Sequence, residues 1–230
     1  MGKLQGFSPF FVAGAPAKTG VTHPPIDRFL LKEIRGKSVF DLGGGEGAYS
    51  SELKKVGFKT MVADIDAASL SVAEKNGLQT RLLTLNESLG ENIADTVIVI
   101  EVLEHVPNPI LFLQSAIHAA KQRVLFTLPC IDDFETLFET GLTYAHIAVE
   151  DHLWHYSYKE MKEMLDSLGV DYTLRMDDYL CPGAAIKLLR HCFRGPFGFL
   201  LMLPLRIMNK LGLIPKRYPS RFYGIIEKTS

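Results

Sequence analysis

Two short stretches of this chain carry residue types that do chemistry. In Glu101-Val-Leu-Glu-His105, two carboxylates and an imidazole are spaced i, i+3 and i+4. If the turn there is helical, all three share one face. An imidazole titrates near neutrality and suits removal of a proton from a hydroxyl or amine. Two carboxylates and an imidazole are also donors for a divalent ion. In Asp41-Leu-Gly-Gly-Gly-Glu-Gly47, an acid at the tip of an apolar run leads straight into a glycine loop. Glycine permits a tight strand-to-helix turn, and its missing Cβ lets a ligand lie against the main chain. Gly43-x-Gly45-x-x-Ala48 fits a dinucleotide fingerprint, and Asp64, about 20 residues on, is spaced to grip a ribose diol. At this level the ligand is nucleotide-like, and its identity is open.

The elements that must position these residues alternate. Short runs dense in Val, Ile, Leu, Phe and Thr predict strands at 37–42, 59–64, 79–85, 95–101 and 122–128. Helical patterns are predicted at 47–56, 67–76, about 87–92 and 109–120. Pro24-Pro25 opens an amphipathic helix that carries Ile26, Phe29, Leu30 and Ile34 on one face. The alternation predicts βαβ units, a parallel sheet and helices on both faces. Residues 1–24 lack periodicity and read as an irregular arm; 25–230 reads as a single domain. Beyond Pro129 the pattern loosens: 131–148 reads as helical or lid-like. Ser157 to Leu168 is an amphipathic helix closed by Gly169, and 170–176 and 222–227 are strands. The segments 131–156 and 178–221, rich in aromatic residues, read as substrate covers.

Composition narrows the class. The chain has 230 residues, 47% hydrophobic and 22% charged, with a formal net charge of −1, which does not advertise nucleic acid as a partner. Its three cysteines, Cys130, Cys181 and Cys192, lie far apart with no Cys-x-x-Cys pair. That spacing argues against a disulfide framework or a cysteine zinc site and fits a reducing cytoplasm. No signal peptide is visible. The most apolar run, Gly195 to Leu205, is too short for a bilayer span and is interrupted by Pro204. Its default reading is a buried or lid-forming helix, with peripheral membrane contact through 195–217 as the alternative.

The stretch Ala94 to Pro109, taken with the glycine loop, resembles the class I S-adenosylmethionine-dependent methyltransferases of the small-molecule type. Asp41 to Gly47 resembles that family's D-x-G-x-G-x-G loop, and Val62-Ala-Asp-Ile-Asp66 its acidic second-strand end. Glu101-Val-Leu-Glu-His-Val106 resembles its fourth-strand signature, and Leu125-Phe-Thr-Leu-Pro129 its fifth strand. The resemblance covers about 25–177 and resumes at the last strand. Gly44 departs from relatives that carry Cys there, and the family pattern is silent about 178–221. The implied fold is α/β and doubly wound, a Rossmann-like, seven-stranded, mostly parallel sheet. Its last strand is antiparallel, and a lid insertion precedes it.

The resemblance also implies roles. Gly43 and Gly45 would pack against the methionine part and sugar of S-adenosylmethionine. Asp41 would lie near its amino group or order the loop. Asp64 would accept from both ribose hydroxyls, Ile65 would line the adenine, and Glu101 joins the cofactor set. Asn86 is a candidate for the adenine edge, with a plain turn cap as its equal alternative. The product would be S-adenosylhomocysteine. Methyl transfer from a sulfonium asks chiefly for alignment, and an oxygen or nitrogen acceptor benefits from a base. His105 is the first candidate base, followed by His152 and then His155. Some relatives use a Glu-x-x-Glu-His set for a divalent metal. Glu101, Glu104 and His105, with His152 or His155 as a fourth ligand, keep that reading open, but the preferred reading assigns no metal.

The expected acceptor is a small molecule, a hydroxyl or amine of an aromatic, isoprenoid, lipid-like or sugar compound. The basic residues of the C-terminal third, among them Arg190, Arg206 and Arg221, read as a solvated face or an attraction for anions. The rivals are an NAD-dependent oxidoreductase, which leaves Glu101–Val106 unexplained, and a non-catalytic cofactor-binding module. A monomer or a homodimer is expected.

Overall fold

The computed structural model describes residues 21–84, 88–132, 152–177, 203–204, 207–208, 211 and 219–228. The expectations for 1–20, Asn86, 133–151 and most of 178–221 lie outside these residues. Among them, α1 (Pro24–Glu33) leads to β1 (Ser38–Leu42), α2 (Ala48–Lys55), β2 (Lys59–Asp64), α3 (Ala67–Lys75) and β3 (Gln79–Leu82). Next come β4 (Ala94–Ile100), α4 (Pro109–Ala119) and β5 (Ala120–Pro129), then α5 (Tyr158–Ser167), β6 (Asp171–Asp177) and β7 (Arg221–Glu227).

One seven-stranded sheet runs in the order β3-β2-β1-β4-β5-β7-β6. The first five strands are parallel to one another, and β7 is antiparallel to both β5 and β6. The expected mostly parallel sheet with an antiparallel last strand is what the chain forms. Strands buried on both faces read as continuous apolar runs, and β4 is such a strand, with Val97, Ile98 and Val99 fully buried. The largest apolar cluster packs Phe40, Leu42, Val97, Val99, Phe112, Leu113 and Phe126 between the sheet and α4 and α5. A second packs Ile26, Phe29 and Leu30 of α1 with Val39, Ile98, Leu125 and Tyr223. Arg123, only 3% exposed, holds the side chain of Glu227 and the carbonyl of Glu33, joining β5, β7 and α1.

Two sequence expectations change. The third strand ends at Leu82 rather than residue 85, because its last partner is Asp64, where β2 itself ends. The helix expected near 87–92 is absent over the described 88–92, where Gly90 (φ 92°) and Asn92 (φ 54°) take left-handed backbone that a helix does not accommodate.

The strand order reverses between β1, which turns toward β2 and β3, and β4, which turns toward β5. In open α/β sheets such a switch point opens a crevice beyond the carboxyl ends of the strands. The glycine loop after β1 and the Glu101–His105 stretch after β4 both lie there.

Candidate active site

The loop after β1 is fixed by its neighbours. Gly43 donates its N–H to Ala63 O at 2.7 Å, tying the loop to β2. Gly43 and Gly45 have φ of 79° and 54°, in the left-handed region. A Cβ at Gly43 would stand 2.8 Å from Val102 Cγ2, so the loop lies directly against the residue that follows Glu101. A Cβ at Gly45 would meet nothing within 4 Å. The loop's open side is thus a cradle of bare main chain, which fits a nucleoside-type cofactor.

Asp41 is buried and accepts from Ser50 Oγ at 2.7 Å, linking β1 to α2. Burial raises its carboxyl from 3.8 to about 6, offset in part by the Ser50 hydrogen bond. This bond ties the end of β1 to α2 on the far side of the glycine loop. Gly44 lies close by: a Cβ there would come within 2.5 Å of Asp41 Cγ. Asp64, at the end of β2, accepts the Gly45 N–H through Oδ2 at 2.8 Å and the Asp66 N–H through Oδ1 at 2.9 Å. Asp66 caps α3 by accepting from Ala68 N and Ser69 N, and the Ser69 hydroxyl, followed by the Ala68 N–H, holds its carboxyl below the usual range. Ile65 lies between the two acids, partly buried against the main core.

Beyond β4 the three chemical residues do not share a face, contrary to the helical-turn expectation. Glu101 itself takes φ 54°, an uncommon conformation for a non-glycine residue and one that costs on the order of 1–2 kcal/mol. The turn that follows is closed by His105 N–H donating to Val102 O at 2.9 Å. Glu101 therefore leaves the set. Its carboxylate accepts from Arg221 Nε at 3.0 Å and Nη2 at 3.2 Å, and from Thr127 Oγ1 at 2.8 Å.

Glu104 and His105 gather instead with His152. The His105 and His152 rings meet edge to face with centroids 4.8 Å apart, and His155 stands 6.2 Å beyond His152. Glu104 is 2% exposed, and its Oε1 lies 3.9 Å from His105 Nε2. Donor atoms of Glu104, His105 and His152 all fall within 4.8 Å of one another, a set of one carboxylate and two imidazoles that fits a small divalent cation. The segment carrying His152 is pinned over the turn. Leu153 N and Trp154 N donate to Glu104 O, Trp154 Nε1 donates to Val106 O at 2.8 Å, and Ile131 N donates to Tyr156 O at 3.0 Å. The Tyr156 hydroxyl is pushed up by burial and then by the charges of Glu104 and Glu160.

Sequence reasoning passed over Arg221 as one of several basic residues, and did not single out Thr127, Tyr49 or His23. Thr127 lies within the fifth-strand stretch Leu125–Pro129 but was read there only as strand, and Arg221, Tyr49 and His23 sit in no local motif, so no spacing signal marks them. Asn86 lies outside the described residues.

Residues 20–174 match a family model described as a methyltransferase domain. The ubiquinone biosynthesis O-methyltransferase of Rattus norvegicus mitochondria is 22% identical over 178 residues, 70% of this chain and 50% of that protein. The protein of that name from Hahella chejuensis is 35% identical over 96 residues, 38% of this chain and 40% of that one. The chain spans about half the length of the first of these curated relatives, and less of the second. Among solved structures, a SAM-dependent methyltransferase from Archaeoglobus fulgidus superposes with a TM-score of 0.59 at 16% identity, over 89% of this chain and 94% of that one. Magnesium protoporphyrin IX methyltransferase from Synechocystis, with bound SAH, gives 0.55 at 16% identity, over 88% and 80%. At these identities the likeness to solved structures is one of fold.

Proposed function

Because the chain belongs to the methyltransferase-domain family matched by residues 20–174, we propose that it transfers the methyl group of S-adenosylmethionine to a small-molecule acceptor and releases S-adenosylhomocysteine. The observation that carries this reading is the unit formed by Gly45 and Asp64, a bare stretch of main chain joined to an acid at the end of the neighbouring strand. The cofactor supplies an activated methyl on a sulfonium that is already a good leaving group. Asp64 accepts from the ribose hydroxyls, Gly43 and Gly45 allow close approach of the sugar and methionine part, and Ile65 lines the base. Asn86 remains a candidate for the adenine edge.

His105 takes the proton from the acceptor's hydroxyl or amine, and the Glu104 carboxylate beside Nε2 stabilises the imidazolium that forms. His152, edge-on to His105, restrains its ring. The name shared by the curated relatives favours oxygen as the methylated atom, on an aromatic, isoprenoid, lipid-like or sugar acceptor. A reducing cytoplasm is the setting that the scattered cysteines support, and the chain acts there as a monomer or homodimer. Among the described residues no helix is long and apolar enough to cross a membrane.

The test is transfer of labelled methyl from S-adenosylmethionine to a catechol, an aromatic amine and a fractionated cell extract. Label in one small-molecule product supports the reading. Cofactor binding without label in any fraction assigns a non-catalytic module instead.

The close set of Glu104, His105 and His152 supports a second, metal-assisted version of the same reaction. A divalent ion held there would favour an ionised hydroxyl acceptor as a Lewis acid. Glu104, His105 and His152 are the residues that would hold it, without Glu101. Activity lost on chelation and restored by a divalent cation selects this version; full activity in metal-free protein selects His105 acting alone.

A further inference from the structure

We propose that Arg221 and Glu101 together form the pocket for the zwitterionic amino-acid end of the cofactor, with Arg221 binding its carboxylate and Glu101 its ammonium. The inference rests on the cofactor reading above and adds Arg221, a residue from outside every local motif. The pair stands at the same end of the sheet as the glycine loop. Glu101 is the first residue past β4, and the next residue, Val102, is the one a Cβ at Gly43 would strike. Arg221 is the first residue of β7, opposite Pro129 at the carboxyl end of β5. Both side chains remain partly open, 30% for Glu101 and 19% for Arg221.

The groups around them complete a polar wall drawn from separate elements. Arg221 Nη1 lies 3.4 Å from His23 Nδ1, at the entry to α1. Tyr49, in the first turn of α2, accepts the His23 N–H at 3.3 Å. Burial and the Glu101 charge push its hydroxyl up to about 12, so it stays protonated and can donate. Thr127 Oγ1 holds Glu101 from β5. One carboxylate thus links β4, β5 and β7, with α1 and α2 close by, while its backbone takes a left-handed turn.

An ion pair that only fastened strands together would not need a left-handed residue at the crevice edge. A zwitterion docked on the pair places ammonium against carboxylate and carboxylate against guanidinium, so that four charges alternate. A guanidinium carries five N–H donors in a fixed fork and can serve two carboxylates at once. The fork, rather than a point charge, is what this arrangement uses. Because each charge already faces the other, the protein avoids holding a lone charge at the cleft before the ligand arrives.

The experiment compares two probes by calorimetry: S-adenosylhomocysteine, which keeps the amino-acid end, and 5′-methylthioadenosine, which lacks it. Wild type should bind the first much more tightly. Arg221→Gln should weaken S-adenosylhomocysteine about 10- to 100-fold, the range of a lost charge-assisted hydrogen-bonded contact, and leave 5′-methylthioadenosine within about two-fold. Arg221→Lys, which keeps the charge and fold but not the fork, should fall between. Equal weakening of both probes, or of neither, in the two variants overturns the proposal by assigning Arg221 a structural role or none. Failure of wild type to bind either probe overturns the cofactor reading itself, and the proposal with it.

Discussion

Asp64 Oδ2 accepts the backbone N–H of Gly45 at 2.8 Å, so the acid at the end of β2 and the glycine loop after β1 act as one unit. Asp64→Ala removes both the ribose acceptor and the anchor of the loop. Affinity for S-adenosylhomocysteine should fall about 100-fold, and affinity for 5′-methylthioadenosine should fall in parallel, since both carry the ribose. Calorimetry on the two ligands checks this; loss for one alone contradicts the assignment of Asp64 to the sugar.

Gly45 and Gly47 should separate binding from folding. A methyl at Gly45 points into open space, so Gly45→Ala costs about 1–2 kcal/mol for its φ of 54° while lowering cofactor affinity at least about ten-fold. At Gly47 a Cβ would stand 2.4 Å from Leu78 Cδ1 and 3.0 Å from Val62 Cγ2, so Gly47→Ala should cost a further 1–3 kcal/mol, roughly, from overpacking. Urea denaturation of both variants, with binding measured alongside, gives the contrast.

Asp41 predicts a pH dependence of stability. Its carboxyl is raised from 3.8 to about 6, chiefly by burial, so the native state holds that proton more tightly than the unfolded chain. The contribution is fully present below the unfolded value and is lost as pH rises through about 6. Its size is on the order of 3 kcal/mol. Asp41→Asn lacks this titration, so thermal melts should show the variant gaining on wild type between about pH 4 and pH 7. A constant difference across that range contradicts the assignment.

His105→Gln should lower kcat about 100-fold or more without changing S-adenosylhomocysteine affinity, because a base acts on the acceptor rather than on the cofactor. His152→Ala should have a smaller effect in the metal-free enzyme and one as large as His105→Gln if a divalent ion is held between them. Steady-state kinetics with and without chelator read both outcomes.

What the sequence revealed and what it did not follow one physical line. The glycine loop, the strand-end position of Asp64 and β4 were legible because each depends on neighbours a few positions away: a glycine where φ is positive, an acid at a strand end, an apolar run buried on both faces. The helical-turn expectation for Glu101, Glu104 and His105 failed because the direction of Glu101 is set by Arg221, 120 positions along the chain, and by Thr127. The approach of His152 to His105 was offered only by family resemblance, since the backbone bonds to Glu104 O that bring them together leave no trace in spacing. Strand ends followed the same rule: β3 stops where β2 stops, a limit set by the partner rather than by its own residues.

The central claim, that the crevice beyond β1 and β4 takes S-adenosylmethionine, is tested most directly by titrating S-adenosylhomocysteine and NAD separately against the purified chain and following its thermal unfolding. The account predicts a rise in melting temperature that saturates with S-adenosylhomocysteine and no shift with NAD. A shift with NAD alone would contradict it.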